Sequence, residues 1–599
     1  MIVSKHIAVI TAVMLAISLA LCAFIVYAAD SWDTAGITQY QKKLFGDEIL
    51  SIDIQANAQD WQGMLENAQA KEWISADLVI NGARFSTVGI RTKGNSSLSM
   101  GARSASSESA RYSLQFKFNK YVKGQTCYGL DAFCINNMMG DATYMKDYLS
   151  YEIMDYIGVD TPLKNYAEVT VNGEGYGFFV ALERYDEAFM DRVYNTSGGE
   201  LYSVKISMGM RGDFEDMRQD GDAAVPAQPD GAQGGTAEDA GGARPGFPQG
   251  GFPGFEEGET PDFGGEFPGF EEGERPEFGG GFPGYGGEAS LPERPIGGGM
   301  GGAAGFGGNG GGSLIYTDDE ISSYSSIFDN AVSASTNDAD KQRVITAIKN
   351  LNAGTELEKY FDVDGILRYF AAHTAVVNLD SYVSNMQQNY YIYEHNGRLT
   401  ILPWDYGLAF GGYMSQSATS VVNFPIDTPV SGVSMEDRPL LNKLLEVAEY
   451  RERYHGYLLQ IAQGYFESGL FAQTVAALDA KIGAHVETDV SAYYTHEQYT
   501  AALAALIGLG ALRAESIMWQ LDGTIPSTTD GQSADSSALV DASGLDLSAL
   551  GSMMGGGGMG EWQGGRGGRG EMPAAPENWG QPSENQEDAE SPGAGSPSG

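Results

Sequence analysis

The chain has 599 residues, and its 79 Asp and Glu against 36 Lys and Arg give a formal net charge of −43. A chain this acidic repels phosphate backbones, so the composition argues against a nucleic-acid-binding protein and favours a basic partner. The length allows several domains, but two long segments, residues 219–312 and 527–599, are too poor in apolar residues to belong to any of them.

The N-terminus contains an uncharged apolar run, residues 7–28, which follows Lys5. A run of this length can cross a bilayer. The small residues near Val26 and Ala28 also fit the spacing of a signal-peptidase site. The sequence therefore predicts export, with residues 1–29 forming either a cleaved signal peptide or a retained membrane anchor.

Residues 47–218 show the pattern of a β-rich lobe. Asn81-Gly82 and Asn172-Gly173 each separate two runs of alternating apolar residues. An Asn-Gly pair in this setting is the strongest short-range signal of a β-hairpin. Residues 111–118 alternate strictly, which predicts a strand with one apolar and one polar face. One helix is predicted within the lobe, at residues 144–157.

A polar motif, RTKGNSS, follows a strand of this lobe and begins at Arg91. The turn at Gly94 and the side chains of Asn95 and Ser96 can present N–H groups and hydroxyls to phosphates, and the cations add positive charge. Lys117, on the strand at residues 111–118, is a further candidate for a phosphate-contacting cation. The alternative interpretation is an ordinary Gly-Asn turn beside solvated basic residues on exposed strands.

Two cysteines, Cys127 and Cys134, lie on either side of a turn that contains Gly129. In an oxidising compartment this arrangement predicts a disulfide that closes a hairpin. The spacing does not suit a CxxC metal or redox site. Two buried free thiols are the alternative.

The two segments that are poor in apolar residues are predicted to be disordered. Residues 219–312 contain a repeat of period 15, with PGFEEGE beginning at Pro253 and again at Pro268. Gly and Pro at this density prevent helix and sheet, and the scattered Phe residues cannot assemble a core. The acidic, Gly- and Ser-rich tail at residues 527–599 has the same character.

Residues 313–526 change to an apolar period of 3.6, which predicts amphipathic helices. The predicted fold class is therefore α+β, with a β-rich lobe followed by a mainly helical lobe. Two unlike lobes in this order favour a ligand-binding cleft between them. Hydrolase chemistry has little support, because the six histidines show no HExxH or other ligand spacing and the sequence has no GxSxG.

The helical lobe contains an ordered series of candidate functional residues. Asp380 and Asn385 follow an apolar helix, a short hairpin turns at Asn396-Gly397, and Asp405 follows the second strand. Protein kinases use this order for the catalytic base, the second metal ligand and the first metal ligand. Carboxylate oxygens suit Mg²⁺, and a nearby carboxylate can orient the acceptor hydroxyl. The alternative is that these residues only form turns and a solvated loop.

Several sequence blocks resemble the CotH kinase family, which is related to spore-coat protein H. The similarity runs from about residue 47 to residue 526, apart from the low-complexity insert. The resemblance implies a two-lobed, atypical protein-kinase-like fold that binds ATP and Mg²⁺ or Mn²⁺ and phosphorylates Ser-rich proteins. The blocks are GIRTKGNSS, RYSLQFKFNKY, YVKGQTCYGLDAFCINN, VTVNGEGYGFFVALERYD, YFAAHTAVVNLDSYVSNMQQNYYIY, ILPWDYGLAFGG and NFPIDTPVSG.

The resemblance also implies roles for individual residues. Asp380 is the catalytic-loop aspartate, Asn385 a metal-side partner and Asp405 the metal ligand. Glu183 is placed at the hinge side of the adenine pocket, and Trp404 is grouped with the nucleotide-binding residues.

The resemblance places the segment Gly94-Asn95-Ser96 near the phosphates. The chain departs from the family pattern at Gln115, where relatives often have Lys. The phosphate-contacting cation is therefore open, with Arg91 and Lys117 preferred to Lys205.

The leading hypothesis is an exported protein kinase that transfers the γ-phosphoryl group of ATP to Ser or Thr. Its substrates would be basic, hydroxyl-rich coat or envelope proteins, at the cell surface or in the spore coat. The alternative is a non-enzymatic structural or assembly protein of the spore coat or cell envelope. The low-complexity segments and the scarcity of ATP outside the cytoplasm favour that alternative.

Overall fold

The computed structural model describes residues 38–94, 98, 111–196, 198–205, 312–333, 335–415 and 417–551. Several predicted segments lie outside these residues. They are the N-terminal segment 1–29, the insert 219–312 except Gly312, the end of the tail, and the candidate phosphate-binding residues Asn95 and Ser96. The interpretations made for those segments stay predictions.

The first part of the described chain is built mainly from strands. Eight strands precede the insert: β1 (Leu50–Ala56), β2 (Ile74–Ile80), β3 (Ala83–Lys93), β4 (Ser113–Lys117), β5 (Ala132–Asn136), β6 (Lys164–Val171), β7 (Glu174–Glu183) and β8 (Glu200–Val204). Four helices accompany them: α1 (Gln39–Leu44), α2 (Ala58–Glu66), α3 (Lys146–Tyr156) and α4 (Glu187–Tyr194), with a 3₁₀ turn at Ala68–Ala70.

Seven of these strands close into a barrel in the order β1-β2-β3-β4-β5-β7-β6. All neighbours are antiparallel except β1 and β6, whose parallel pairing closes the barrel. The predicted hairpins are confirmed, because β2-β3 turn at Asn81-Gly82 and β6-β7 turn at Asn172-Gly173. Both turn asparagines have positive φ, 48° and 53°, a conformation that asparagine tolerates better than most residues.

The alternation predicted at residues 111–118 is confirmed by the two faces of β4. Leu114 and Phe116 are fully buried in the apolar cluster that fills the barrel. Gln115 and Lys117 point to the other face. That polar face lines a cleft and is not simply exposed to bulk solvent.

The second part of the described chain is mainly helical. Its helices are α5 (Ser325–Phe328), α6 (Asp338–Ala353), α7 (Leu357–Tyr360), α8 (Val363–Val376), α9 (Ala418–Val422), α10 (Pro439–Leu445), α11 (Ala448–Ile461), α12 (Leu470–Glu487), α13 (His496–Asp522) and α14 (Thr529–Ala534). Short 3₁₀ turns occur at Ile321–Tyr324 and Leu547–Leu550, and a π-helical segment at Ala462–Glu467.

A small antiparallel sheet lies within this second part. The strands β9 (Tyr390–His395) and β10 (Arg398–Pro403) form the hairpin predicted at Asn396-Gly397. β8 adds to β9, so the sheet has the order β10-β9-β8. The first part of the chain therefore contributes one strand to the sheet that carries the residues leading to Asp405.

Two of the longer helices, α6 and α13, begin and end at residues typical of those positions. Asn337 caps the start of α6, and Gly354, with φ 64°, ends it. Thr495 and Gln498 form a capping box at the start of α13, and Gly523, with φ 80°, ends that helix. Side-chain acceptors satisfy the free N–H groups of the first turn, and glycine adopts the left-handed conformation without steric penalty.

α13 is long and apolar enough to cross a membrane by length and composition alone. Half of its most apolar window is buried inside the protein, as in a core helix. Arg513, within this helix, is buried and donates to the carbonyl oxygens of Val422 and Phe424 at 3.0 and 2.8 Å. The structure thus confirms a mixed α+β protein in which the helices pack as a core.

The predicted disulfide is wrong, because Cys127 and Cys134 are both buried free thiols. Cys127 belongs to the apolar cluster inside the barrel, whereas Cys134 belongs to the larger cluster outside it. The Cys134 Sγ lies 3.7 Å from the Leu182 carbonyl oxygen on the neighbouring strand. The two thiols therefore lie on opposite faces of the barrel wall, and burial raises the pKa of both.

The folded part extends beyond the predicted boundary at residue 526. α14 lies within the predicted tail, and Val540 and Leu550 are buried in the helical core. Ser527 Oγ donates to Asp427 Oδ2 at 2.6 Å. The apolar residues of segment 527–551 are too sparse to show a period, but they dock onto a surface that the preceding helices have already formed.

Candidate active site

A cleft of about 1000 Å³ lies between the outer face of the barrel and the loops of the helical part. The strands β3, β4 and β5 form one wall, and the loops that precede β9 and follow β10 contribute to the other. Six of the predicted site residues line this single cleft although they are far apart in sequence: Arg91, Gly94, Lys117, Asp380, Trp404 and Asp405.

The charge of the cleft differs from that of the rest of the chain. Seven Lys or Arg and seven Asp or Glu line it, whereas acids outnumber bases 79 to 36 in the whole sequence. The cleft therefore lacks the acidic excess of the whole sequence, although two candidate catalytic carboxylates lie in it. Such a site suits a ligand that is itself anionic and is bound together with a cation.

Asp380 is held in a fixed orientation by two side-chain amides. Its side chain lies in the loop after α8, and the residue is 7% exposed. Gln388 Nε2 donates to Oδ1 at 2.8 Å, and Asn389 Nδ2 donates to Oδ2 at 3.0 Å and to the Asp380 carbonyl at 2.8 Å. Burial and the nearby Asp405 charge raise the pKa of Asp380 to about 6, against the opposing effect of the two amides.

Asp405 is exposed in the cleft, at the first residue after Pro403 and Trp404. Its φ of 59° is uncommon for a residue other than glycine. Two hydrogen bonds to α3 hold this backbone, because Asp405 N donates to Tyr151 Oη at 3.2 Å and Tyr406 N donates to Asp147 Oδ1 at 2.7 Å. The loop therefore presents an exposed carboxylate from a backbone that is fixed on its buried side.

A series of polar contacts that was not predicted from the sequence links β3 to α3. Lys93 Nζ donates to Asn136 Oδ1 at 2.5 Å, and Asn136 Nδ2 donates to Asp147 Oδ2 at 3.1 Å. The Lys93 ammonium also lies 5.4 Å from the centre of the Trp404 ring. Burial and the Asp405 charge raise the pKa of Asp147. Lys93 thus lies beside the loop that carries Asp405.

One signal for Lys93 was present in the sequence. Lys93 lies two positions after Arg91, and residues two apart on a strand share a face, so both cations point into the cleft. Asn136 and Asp147 had no such signal. Their roles arise only when β5 pairs beside β4 and α3 packs against the loop after β10.

Arg91 and Gln115 form a pair across β3 and β4. Arg91 Nε and Nη2 donate to Gln115 Oε1 at 3.2 and 2.8 Å, and the guanidinium lies 4.3 Å above the Trp73 ring. Because a guanidinium only donates, the Gln115 amide nitrogen must face away from it. That nitrogen is buried and has no acceptor among the described residues. Lys117, two positions along β4, also lines the cleft.

Two predicted site residues do not line the cleft among the residues that the structure describes. Asn385 is exposed on the surface, and Asn389 instead contacts Asp380. Glu183 is fully buried, pairs with Arg192 at 2.5 Å and accepts from Tyr40 Oη at 3.0 Å. The Glu183 side chain is therefore held by Arg192 and Tyr40 and is not among the described residues that line the cleft.

A comparison with known families gives a match that covers both parts of the described chain. The family described as CotH kinase protein matches residues 90–240 and 311–517, which together make up more than half of the chain. The chain therefore belongs to the CotH kinase family. The matched segments contain Lys93, Asp380 and Asp405. A search of curated proteins finds no match.

Proposed function

We propose that this chain is an exported, ATP- and Mg²⁺-dependent protein serine/threonine kinase with a kinase-like arrangement of two lobes. The observation that supports the proposal most strongly is the single cleft that brings Asp380 and Asp405 together with Lys93 and Arg91. Phosphoryl transfer requires these groups: a carboxylate for the metal, a carboxylate for the acceptor hydroxyl, and cations for the phosphates. Membership of the CotH kinase family supports the same reaction class.

The cleft residues fit a nucleotide and a divalent cation bound together. Mg²⁺ usually takes only one or two protein carboxylates and completes its coordination with phosphates and water. Among the described residues no group of three or more His, Cys, Asp or Glu could hold a metal alone. The exposed Asp405 would hold Mg²⁺ or Mn²⁺ jointly with the ATP phosphates, and the bound metal would neutralise phosphate charge.

Asp380 is the proposed partner of the acceptor hydroxyl. The hydroxyl oxygen forms a bond to the γ-phosphorus while the bond from phosphorus to the β,γ-bridging oxygen breaks, and ADP leaves. The hydroxyl proton passes to Asp380, whose raised pKa of about 6 makes it a better base than an exposed Asp yet leaves it ionised at pH 7. Lys93 and Arg91 supply positive charge to the phosphates.

The proposed substrates are basic, hydroxyl-rich proteins of a coat or envelope. The net charge of −43 favours a basic partner over an acidic one. The apolar run at residues 7–28 supports export, through either a signal peptide or a membrane anchor. The proposed phosphorylation would take place at the cell surface or in the spore coat.

The function is tested by incubating the purified full chain with γ-labelled ATP, Mg²⁺ and a basic Ser-rich peptide. Label on serine or threonine of the peptide is the expected result, and omission of Mg²⁺ should remove it. No transfer and no ATP binding would favour the non-enzymatic coat or envelope protein instead.

ATP with Mg²⁺ is expected to raise the melting temperature of the wild-type chain. A ligand at about 100 times its Kd stabilises the native state by about 2.7 kcal/mol, which corresponds to a shift of a few degrees in a protein of this size. Lys93→Met should lose most of the shift, because it removes the cation beside Asn136 and Trp404. Differential scanning fluorimetry measures both.

Lys123→Met is the matched control for this experiment, because Lys123 is exposed and is not among the described residues that line the cleft. The control should keep the full ATP-dependent shift. Equal shifts in Lys93→Met and the wild type would contradict the assignment of Lys93.

Asn389→Ala is expected to lower kcat roughly 10- to 100-fold, because it removes the two hydrogen bonds that Asn389 Nδ2 donates to Asp380 and leaves only the Gln388 amide to orient the carboxylate. Asn385→Ala should leave kcat within about twofold of the wild-type value, since surface substitutions away from such contacts have small effects. Steady-state kinetics on the Ser-rich peptide separates the two. A large loss in Asn385→Ala with normal Asn389→Ala kinetics would restore the original prediction for Asn385.

A further inference from the structure

A buried histidine, His373, bridges the loops that carry the two candidate catalytic carboxylates. His373 lies in α8 and is 1% exposed. Its Nδ1 lies 2.7 Å from Tyr406 Oη, and its Nε2 lies 3.0 Å from Ser381 Oγ. Tyr406 directly follows Asp405, and Ser381 directly follows Asp380. The ring therefore contacts the next residue after each carboxylate.

The direction of each hydrogen bond follows from the contacts. Ser381 Oγ donates to the Asn378 carbonyl at 2.7 Å, so the same oxygen accepts from His373 Nε2. Burial lowers the pKa of His373 to about 4, so the ring is neutral at pH 7 and has one N–H. Because that hydrogen is on Nε2, Nδ1 accepts from the Tyr406 hydroxyl. Each group therefore donates to the next one: the Tyr406 hydroxyl to His373, His373 to the Ser381 hydroxyl, and Ser381 to the Asn378 carbonyl.

Asn378, the last acceptor of this chain, makes a second bridge between the same two loops. Its Oδ1 accepts from Asp380 N at 3.2 Å, and its Nδ2 donates to the Asp405 carbonyl at 3.4 Å. Two bridges therefore connect the loops of Asp380 and Asp405. The Asn378 side chain contacts both backbones directly, and the hydrogen-bond chain from Tyr406 to Asn378 connects the residues that follow them. A shift of either loop would break contacts on both bridges.

We propose that His373 is a positioning residue that sets the separation of Asp380 and Asp405 through this hydrogen-bond chain. The proposal rests on the proposed phosphoryl transfer, in which both carboxylates must act on one phosphate. Displacement of a reacting group by about 1 Å can lower a rate about 10²-fold. The exposed Asp405 side chain needs its position fixed through the backbone, and the residue next to it is anchored on His373.

Tyr406→Phe tests the proposal because it removes only the hydroxyl that donates to Nδ1. We expect kcat for labelling of the Ser-rich peptide to fall roughly 10- to 100-fold. The KM for ATP at saturating Mg²⁺ should change much less than kcat, since Lys93 and Arg91 are untouched.

Tyr454→Phe is the matched control for the loss of a buried hydroxyl. The Tyr454 hydroxyl donates to the Ile426 carbonyl at 2.8 Å, and its oxygen lies 3.0 Å from the Thr374 hydroxyl, which donates to it. Thr374 is the neighbour of His373 in α8, so the control disturbs the same helix without touching either catalytic loop. It should lose stability but keep kcat. Equal kcat values in Tyr406→Phe and Tyr454→Phe would overturn the proposal.

Two measurements report on the hydrogen-bond chain from Tyr406 to Asn378 and do not depend on an assay of enzyme activity. Nitrogen-15 NMR of the histidine rings should show His373 with hydrogen on Nε2 and a hydrogen-bonded Nδ1, and Tyr406→Phe should shift the Nδ1 resonance. Mn²⁺ affinity in the presence of ATP, measured by electron paramagnetic resonance, should fall in Tyr406→Phe and not in Tyr454→Phe. An Nδ1–H tautomer, or unchanged Mn²⁺ affinity, would overturn the positioning role.

The double variant Ser381→Ala/Tyr406→Phe adds a test of coupling. The effects of substitutions within one hydrogen-bond chain are not additive. The kcat of the double variant should therefore be little lower than that of the worse single variant. Full additivity of the two losses would contradict a shared chain. A wild-type chain that binds Mn²⁺ and ATP but transfers no phosphate would contradict the proposed function alone, and the positioning role is then judged by the Mn²⁺ affinities.

Discussion

Asp405→Asn is expected to abolish phosphoryl transfer, with a loss of roughly 10³-fold or more in kcat. An amide oxygen is neutral and binds Mg²⁺ far more weakly than a carboxylate, so the phosphate charge would be left without its cation. The side chain is exposed and no hydrogen bond of the fold depends on its carboxylate among the described contacts. The loss should therefore come without a loss of stability.

The charge change should also be visible at the neighbouring carboxylate. The Asp405 charge raises the pKa of Asp380 together with burial. Asp405→Asn removes that charge and should lower the pKa of Asp380, which carbon-13 NMR of the carboxyl group can follow. A lower pKa with a normal melting temperature would show that the variant is folded and electrostatically altered at the site.

Asp60→Asn is the control for this substitution. Asp60 is an exposed carboxylate in the first turn of α2 and is not among the described residues that line the cleft. The Asp60→Asn variant should label the Ser-rich peptide at the wild-type rate. Equal labelling by Asp405→Asn and Asp60→Asn would remove the metal-ligand role and with it the main support for the kinase reaction.

Asp489→Asn is expected to lower the free energy of unfolding by about 3–5 kcal/mol, because it leaves the buried Arg111 charge without its partner. The two side chains are fully buried, and Arg111 Nη1 lies 2.6 Å from Asp489 Oδ2. Asp489 also accepts from Tyr144 Oη at 3.1 Å and from Phe178 N at 3.2 Å. The ion pair thus joins the barrel strands to the loop between α12 and α13.

Urea unfolding measures this loss, and Arg111→Met should show a comparable one. Lys359→Met is the control, because Lys359 forms an exposed ion pair with Glu356 that contributes little. The double variant Arg111→Met/Asp489→Leu should recover part of the lost stability, since it leaves no unpaired buried charge. A loss in Asp489→Asn no larger than that of the control would mean that the pair does not join the two parts of the protein.

Local patterns in the sequence predicted the elements well. The Asn-Gly turns, the alternation of β4 and the 3.6 period after the insert act within a few residues, and each is confirmed. Three-dimensional neighbours were harder to predict. The predicted disulfide failed because Cys127 and Cys134 lie on opposite faces of a closed barrel wall. The spacing of two cysteines in the sequence does not show on which side of the barrel wall each side chain lies.

The same distinction holds at the site. Asp380 and Asp405 could be selected from their order around a hairpin, and both line the cleft. The choice between Asn385 and Asn389 could not be made from the sequence, because it depends on how the loop after α8 turns back onto Asp380. The resemblance placed Glu183 at the hinge side of an adenine pocket, whereas the structure shows its buried carboxylate paired with Arg192.

The amino-acid sequence by itself determined the α+β class, the hairpins, the resemblance to CotH kinases and the two acidic residues, since all of these depend on periodicity, turn chemistry or short motifs. Only the tertiary structure decided which polar side chains share the cleft. Lys93, Asn136 and Asp147 come from three elements that meet through strand pairing and helix packing. Contacts between distant elements are set by the packing of the whole core, which no local pattern encodes.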